Sequence, residues 1–261
     1  MEFRPNYKVH EGDKIELHAE PVAPPREIVP EDLPLDILYE DEDLLVINKP
    51  TGLTVHPATG NWTGTLMNAV HFHFNKAREV GDKYRSGLIH RLDKDTSGIV
   101  LIGKTNLGLW HYSKLFAERK VDKTYLAVVT GNINRVMNNG RITVTNYLGR
   151  NPGNRKKIAV MNEQKGRLAV SEIKLVKIKE IDNQWYSVVE VKPKTGRTHQ
   201  IRVHLTSLGF PVLGDTIYGK TPYSRLMLHA WKLNLLSPQG KELHFEAKLP
   251  EEFAIFNAAD R

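Results

Sequence analysis

The stretch HRLDKDTSG, residues 90–98, places a histidine, two cations and two carboxylates in six positions. Its last glycine opens GIVLIG, which reads as a core strand. Asp93 and Asp95 are two apart, so in an extended segment they share a face with Arg91. Two carboxylates are the raw material of acid–base catalysis, but a neighbouring arginine favours the ionised form of both. An ionised aspartate held in a cleft suits nucleophilic attack or stabilisation of a cation. The same spacing also suits an Asx-turn with surface ion pairs worth little each. On spacing alone, Asp93 and Asp95 are equivalent.

A second constellation is KPKTGRTHQIRVHL, residues 192–205. A strand ends at a Thr-Gly turn, and a helix then opens with Arg197, His199 and Arg202. His199 and Arg202 are three apart and share a helix face. A helix start flanked by two arginines attracts an anion, either a phosphate or Asp93, although a solvated basic helix start reads the same way. Tyr125, in DKTYLAVV, stands at a strand start, where a tyrosine is half in the core with its hydroxyl at the rim. GRNPGNRKKIAVM (149–161) gathers Arg150, Arg155, Lys156 and Lys157 around glycine and proline turns, either a solvated loop or a phosphate-contacting one, and the basic balance favours the second. The histidines do not form a metal motif: His199 and His204 are five apart, His71 and His73 two apart, and no H-E-x-x-H occurs. His90 with Asp93 and Asp95 has donors for a hard cation, but no metal and no cofactor are expected.

The elements that must position these residues follow from hydrophobic period and turn chemistry. Leu44–Ile47 read as a buried strand stopping at Lys49-Pro50, with Thr51-Gly52 as a turn. TGTLMNAVHFHFNKAR has helical spacing, with Thr63 or Thr65 as N-cap. Residues 98–103 form a strand, 105–120 a helix with Leu109, Tyr112, Leu115 and Phe116 on one face, and 123–131 another strand. After about 141 the chain is rich in strands, interrupted by one helix in THQIRVHLTSLG that Gly209 stops. Runs of strands with few helices between them predict an α+β fold, a mixed, mainly antiparallel sheet with flanking helices. Residues 1–20 are too short for a core of their own, and five prolines between 21 and 34 predict an extended linker. The domain boundary falls there, leaving 35–261 as the large domain.

The chain has 261 residues, 40% hydrophobic and 26% charged, as in an ordinary globular protein with a sizeable core. Having no cysteine, it has no disulfide, thiolate nucleophile or cysteine-bound zinc. No apolar run is long enough for a membrane span and the first residues lack a signal-peptide core, so a cytoplasmic protein is expected. Lys and Arg number 37 against 30 Asp and Glu, a net +7 that favours polyanionic partners.

Five ordered motifs carry a family resemblance: VINKPTGLTVHP, GLIHRLDKDTSGIVLIGKT, KTYLAVVTG, KPKTGRTHQIRVHLTSLGFPVLGDTIYG and LMLHAWKL. Over about residues 35–250 the chain resembles the RluA-type pseudouridine synthases, close to their RluD-like branch. The resemblance implies the pseudouridine synthase fold with a central catalytic cleft. It makes Asp93 the catalytic residue rather than Asp95. It implies that Tyr125 contacts the target base and assists proton removal, that Arg202 pairs with Asp93, and that Leu228 is an apolar wall. It also implies that Arg91 fills the space left by a flipped nucleotide. RNA contacts are expected from Arg91, His90, Arg197, Arg150, Arg155, Lys156 and Lys157. Residues 1–20 resemble the last part of an S4-like RNA-binding domain. The expected activity is isomerisation of uridines in large-subunit (23S) ribosomal RNA by a monomer without metal, cofactor or membrane. The alternatives are a tRNA-directed enzyme of this kind, a non-catalytic RNA-binding ribosome-assembly factor, and a metal-dependent phosphodiesterase using His90, Asp93 and Asp95.

With Asp93 as the reacting carboxylate, Asp95 becomes a structural residue that ties the turn to Thr-Ser-Gly. Asp95→Asn is expected to lower the melting temperature more than the turnover of the protein that remains folded. A stable but inactive Asp95→Asn protein would contradict this assignment.

Overall fold

The structure is a computed structural model that describes residues 10–14, 27–58, 60–74, 80 and 87–256. In chain order its elements are β1 (Ile37–Glu40), β2 (Leu44–Lys49), α1 (Leu66–His73), β3 (Ser97–Gly103), α2 (Asn106–Ala117), β4 (Asp122–Thr130), β5 (Arg141–Arg150), β6 (Ile158–Met161), β7 (Arg167–Ile181), β8 (Gln184–Pro193), α3 (Gln200–Ser207), β9 (Leu228–Leu236) and β10 (Glu242–Glu246). The strands form one sheet in the order β1-β2-β3-β9-β4-β8-β7-β5-β6, with β10 also paired to β9. Among the described residues only β3 and β9 run parallel; the other strand pairs are antiparallel. This is the mixed, mainly antiparallel α+β arrangement that the strand-rich pattern predicts. No described helix is long and apolar enough to cross a membrane.

The period of two along β2 and β3 sorts their side chains onto two faces. Leu45, Ile47, Val100 and Ile102 cluster with Leu66, Met67 and Val70 of α1. Leu44, Val46, Ile99 and Leu101 cluster with Tyr112 and Leu115 of α2. Covered on both faces, β3 is buried at every position, which is why it reads as an unbroken apolar run. Thr65, not Thr63, caps α1: it accepts the Asn68 N–H, and the Asn68 side chain bonds back to the Thr65 N–H. Thr105 caps α2 by a single bond, its Oγ1 accepting the Gly108 N–H at 3.0 Å. On the far side of the sheet, Ile201 and Leu205 of α3 join the core made by β4, β8 and the start of β9.

Residues 27–34 have no regular element, yet Ile28 is buried and Val29 O accepts the Asn68 side-chain amide at 2.7 Å, so this stretch lies along α1. Of the expected N-terminal remnant, residues 1–9 and 15–20 lie outside the described residues, as do 21–26 of the linker.

The parallel seam between β3 and β9 brings Gly98 opposite Ala230. Gly98 has φ 111°, and a Cβ built there would lie 2.2 Å from the Ala230 carbonyl oxygen. No side chain fits, so this glycine lets the strand leaving the 90–97 loop enter the sheet. Gly98→Ala is expected to destabilise the protein by about 2 kcal/mol or more through strain and forced separation of the seam. Gly196→Ala, where a Cβ meets nothing within 4 Å, serves as the near-neutral control in urea unfolding.

Candidate active site

The loop before β3 is built on its own backbone and on the end of β2. Leu92 is buried in the α1-side core, and a turn closes where Thr96 N–H meets Asp93 O at 3.2 Å. That turn bends the chain between Asp93 and Asp95, so they do not line one extended face. Beneath it the Lys49 side chain is fully buried, donating to Pro50 O at 2.8 Å, Leu53 O at 2.8 Å and Lys94 O at 2.9 Å. All three ammonium donors are therefore used, and burial pulls its pKa down to about 8. Thr51 Oγ1 donates to Asp95 O at 2.7 Å. Ser97 is anchored by the Arg225 guanidinium and by His229 Nδ1 at 2.7 Å. The Lys-Pro-Thr end of β2 and the Thr-Ser-Gly start of β3 thus hold Asp93 from both sides.

Facing Asp93 is α3. Gln200 fastens its start: Oε1 accepts from Thr195 Oγ1 at 2.7 Å and the Arg197 N–H at 3.0 Å, while Nε2 donates to Val170 O and Ser171 Oγ on β7. Two residues on, Arg202 is 2% exposed. Its Nη1 lies 3.4 Å from Asp93 Oδ2. The shorter bonds go to Asp215, with Nε to Oδ2 at 2.8 Å and Nη2 to Oδ1 at 2.7 Å. Asp215 Oδ1 also accepts the N–H groups of Ile217 and Tyr218. Burial opposes both charges, but their mutual bonds prevail, so the Asp215 carboxyl is held below its usual range and the Arg202 guanidinium above its own. Removing one member of such a buried pair costs about 3–5 kcal/mol, because the other charge stays buried without its partner.

A cleft of about 180 Å³ opens over these groups, lined among others by Arg91, Asp93, Tyr125, Arg197, His199, Arg202 and Leu228. Tyr125 sits where β4 and β9 lose register between Thr124 and Tyr125, an irregularity of the kind that re-aims a side chain. Burial, then the charge of Asp93, pushes its phenol upward, so the hydroxyl stays protonated at neutral pH. Leu228 is 3% exposed at the start of β9. Arg91 is exposed at the mouth, and Arg197 donates from Nε to Leu168 O at 3.2 Å. The structure therefore brings Asp93, Tyr125, Arg202, Leu228, Arg91 and Arg197 together.

His90 is used differently. Its Nε2 accepts the Leu101 N–H at 3.1 Å, its ring stacks on Phe116 with centroids 4.4 Å apart, and burial followed by Lys123 pushes its pKa down to about 3. It is a neutral wall and offers no cation to a phosphate. Arg150, Arg155, Lys156 and Lys157 do not line the cleft; they lie on the β5–β6 hairpin. That hairpin reaches the site through Ile158, whose N–H donates to Tyr218 Oη at 2.8 Å.

Several participants carried no usable signal. Asp215 and Tyr218 lie within the quoted LGDTIYG, but nothing in their spacing names Arg202 as a partner. Lys49 reads as the end of a strand. A second groove of about 470 Å³ shares Arg91, Lys123, Tyr125 and Arg197 with the cleft and adds Arg119 and Lys194. These added cations come from α2's exit and the end of β8, segments far apart in sequence.

Comparisons with known proteins identify the family. The family model described as RNA pseudouridylate synthase matches residues 43–207, a span that includes Asp93, Tyr125 and Arg202. An uncharacterized RNA pseudouridine synthase of Aquifex aeolicus is 38% identical over 96% of this chain and 80% of its own length. Ribosomal large subunit pseudouridine synthase D of Zymomonas mobilis is 36% identical over 90% of this chain and 75% of its own. Among solved structures, human RNA pseudouridylate synthase domain containing 1 superposes with a TM-score of 0.69 at 26% identity, covering 85% of this chain and 86% of that one. With the antiparallel sheet and the carboxylate cleft already in view, these matches establish that the chain belongs to the RNA pseudouridylate synthase family.

Proposed function

We propose that this RNA pseudouridine synthase acts on uridines of large-subunit ribosomal RNA, with Asp93 as the reacting carboxylate. The observation that carries the chemical part is the position of Asp93: a carboxylate in a cleft, paired with a buried arginine that Asp215 keeps in place. The choice of RNA is supported by relatives from Zymomonas mobilis, Borreliella burgdorferi and Neisseria meningitidis, each named ribosomal large subunit pseudouridine synthase D.

The reaction is an isomerisation and needs no external oxidant, reductant or phosphate donor. The N1–C1′ bond breaks, the base turns, C5 bonds to C1′, C5 loses its proton and N1 gains one. Asp93 either adds to C1′ or assists elimination through a glycal. Arg202 holds the carboxylate, and Leu228 supplies an apolar wall for the base. Tyr125, protonated in the free enzyme, meets the base as a neutral hydroxyl and ring. The target nucleotide must leave its stack, which costs a few kcal/mol. Arg91 at the mouth takes up the vacated space, and phosphate contacts offset the remainder. The groove formed by Arg119, Lys123, Lys194 and Arg197 is the path for the flanking strand, with the β5–β6 hairpin and its Arg150, Arg155, Lys156 and Lys157 as a second contact.

Incubation with large-subunit rRNA, followed by mapping of carbodiimide-dependent reverse-transcription stops, is expected to give new stops with the wild type. Asp93→Asn is expected to reduce their formation by about a thousandfold or more. Absence of stops in rRNA, or stops undiminished in Asp93→Asn, overturns the proposal, and stops confined to tRNA move the target. Arg119→Ala is expected to weaken RNA binding with turnover at saturation unchanged. It should also make the slope of log affinity against log salt shallower by about 0.7–0.9.

A further inference from the structure

Arg202 and His199 approach the same oxygen of Asp93. Arg202 Nη1 is 3.4 Å from Oδ2, and His199 Nε2 is 3.8 Å from it. His199 is placed there at a conformational cost. It stands at the N-cap of α3 with φ 53° and ψ 18°, the left-handed region that a residue with a side chain rarely adopts, and its side chain makes no capping bond. Neither helix propensity nor capping accounts for that backbone. What it does is turn the imidazole into the cleft.

The other face of the ring is already occupied. His199 Nδ1 is 2.8 Å from Tyr218 Oη. Tyr218 Oη accepts the Ile158 N–H at 2.8 Å, which leaves its own O–H free to be donated to Nδ1. Donation to Nδ1 leaves the imidazole proton on Nε2, the nitrogen that faces Asp93. Burial, opposed by Asp93 and reinforced by Arg202, holds the imidazole below its usual range, which agrees with a neutral ring. Tyr218 is itself fixed from below, its N–H bound to Asp215 and its ring 5.2 Å from the Arg202 guanidinium carbon.

Resting on the reading that Asp93 reacts, we propose that His199 is a positioning residue for it. Tyr218 sets its tautomer, and its Nε2–H closes onto Oδ2 beside Arg202 when the nucleotide is bound, so that Oδ1 is the oxygen presented to C1′. The separation of 3.8 Å in the free protein is too long for a hydrogen bond, and contacts of this kind tighten in the substrate complex. The seat of Tyr218 belongs to β6, at the base of the cationic hairpin, so an element assigned to RNA contact also fixes the imidazole.

Three measurements test this. In single-turnover isomerisation of an rRNA stem-loop, His199→Asn, which keeps a residue tolerant of the left-handed region, is expected to slow the chemical step roughly tenfold to a hundredfold. RNA affinity should be unchanged. Tyr218→Phe, which keeps the ring beside Arg202, is expected to slow it less, and the double variant to be no slower than His199→Asn alone. Nitrogen-15 spectra of the unaltered protein are expected to place the imidazole proton on Nε2. A His199→Asn rate equal to wild type, additive losses in the double variant, or a proton on Nδ1 would each overturn the inference. The function proposed above fails separately, if the wild type itself leaves the RNA unchanged. The spectra decide the tautomer even where a variant does not fold.

Discussion

A guanidinium removed from water must be met by anions, and the site is organised around that requirement. Arg202 is almost wholly enclosed, and Asp215 answers it with two short bonds. Asp215 is in turn committed by the N–H groups of Ile217 and Tyr218, so the turn after α3 cannot move without uncoupling the pair. Arg202 Nη1 approaches Asp93 Oδ2 at 3.4 Å. One buried charge therefore draws three separate segments together: the loop before β3, the helix α3 and the turn before β9. The charge is tolerable in the interior because its partner is bidentate and hydrogen-bonded in full.

The second constraint is the seam where β3 meets β9. A loop as polar as 90–97 can stand at the mouth of an apolar core only if the backbone beneath it is fixed. Gly98 permits the close approach to Ala230, Leu92 anchors in the core on one side, and Lys49 satisfies three carbonyls below. The loop is functional and its supports are rigid, the usual division between binding loops and scaffold.

Much of this was legible from residue order. The unbroken apolar run of GIVLIG is what a strand covered on both faces must look like, and the alternation along β2 and β3 became two separate cores. Spacing left the choice between Thr63 and Thr65 open, and the reciprocal bond with Asn68 decided it. Arg202 lies 3.4 Å from Asp93 Oδ2, but Asp215 is its tighter partner at 2.7 Å. His90 belonged to the right loop and took a different task, because its ring was needed against Phe116 and Leu101. The extended face shared by Asp93 and Asp95 does not exist, since the chain turns between them.

Local order determined the elements, the basic balance, the absence of cysteine chemistry and the ordered motifs that carry the family resemblance. These depend on period, propensity and residue type, all of which act within a few positions of the chain. Tertiary structure alone decided that Asp215 holds Arg202, that His199 turns a left-handed backbone toward the cleft, and that Arg119 and Lys194 extend one cationic groove. Each of those depends on distances between segments from 13 to more than a hundred residues apart. Such distances arise only when strand pairing closes the sheet and burial forces every enclosed charge to find its partner.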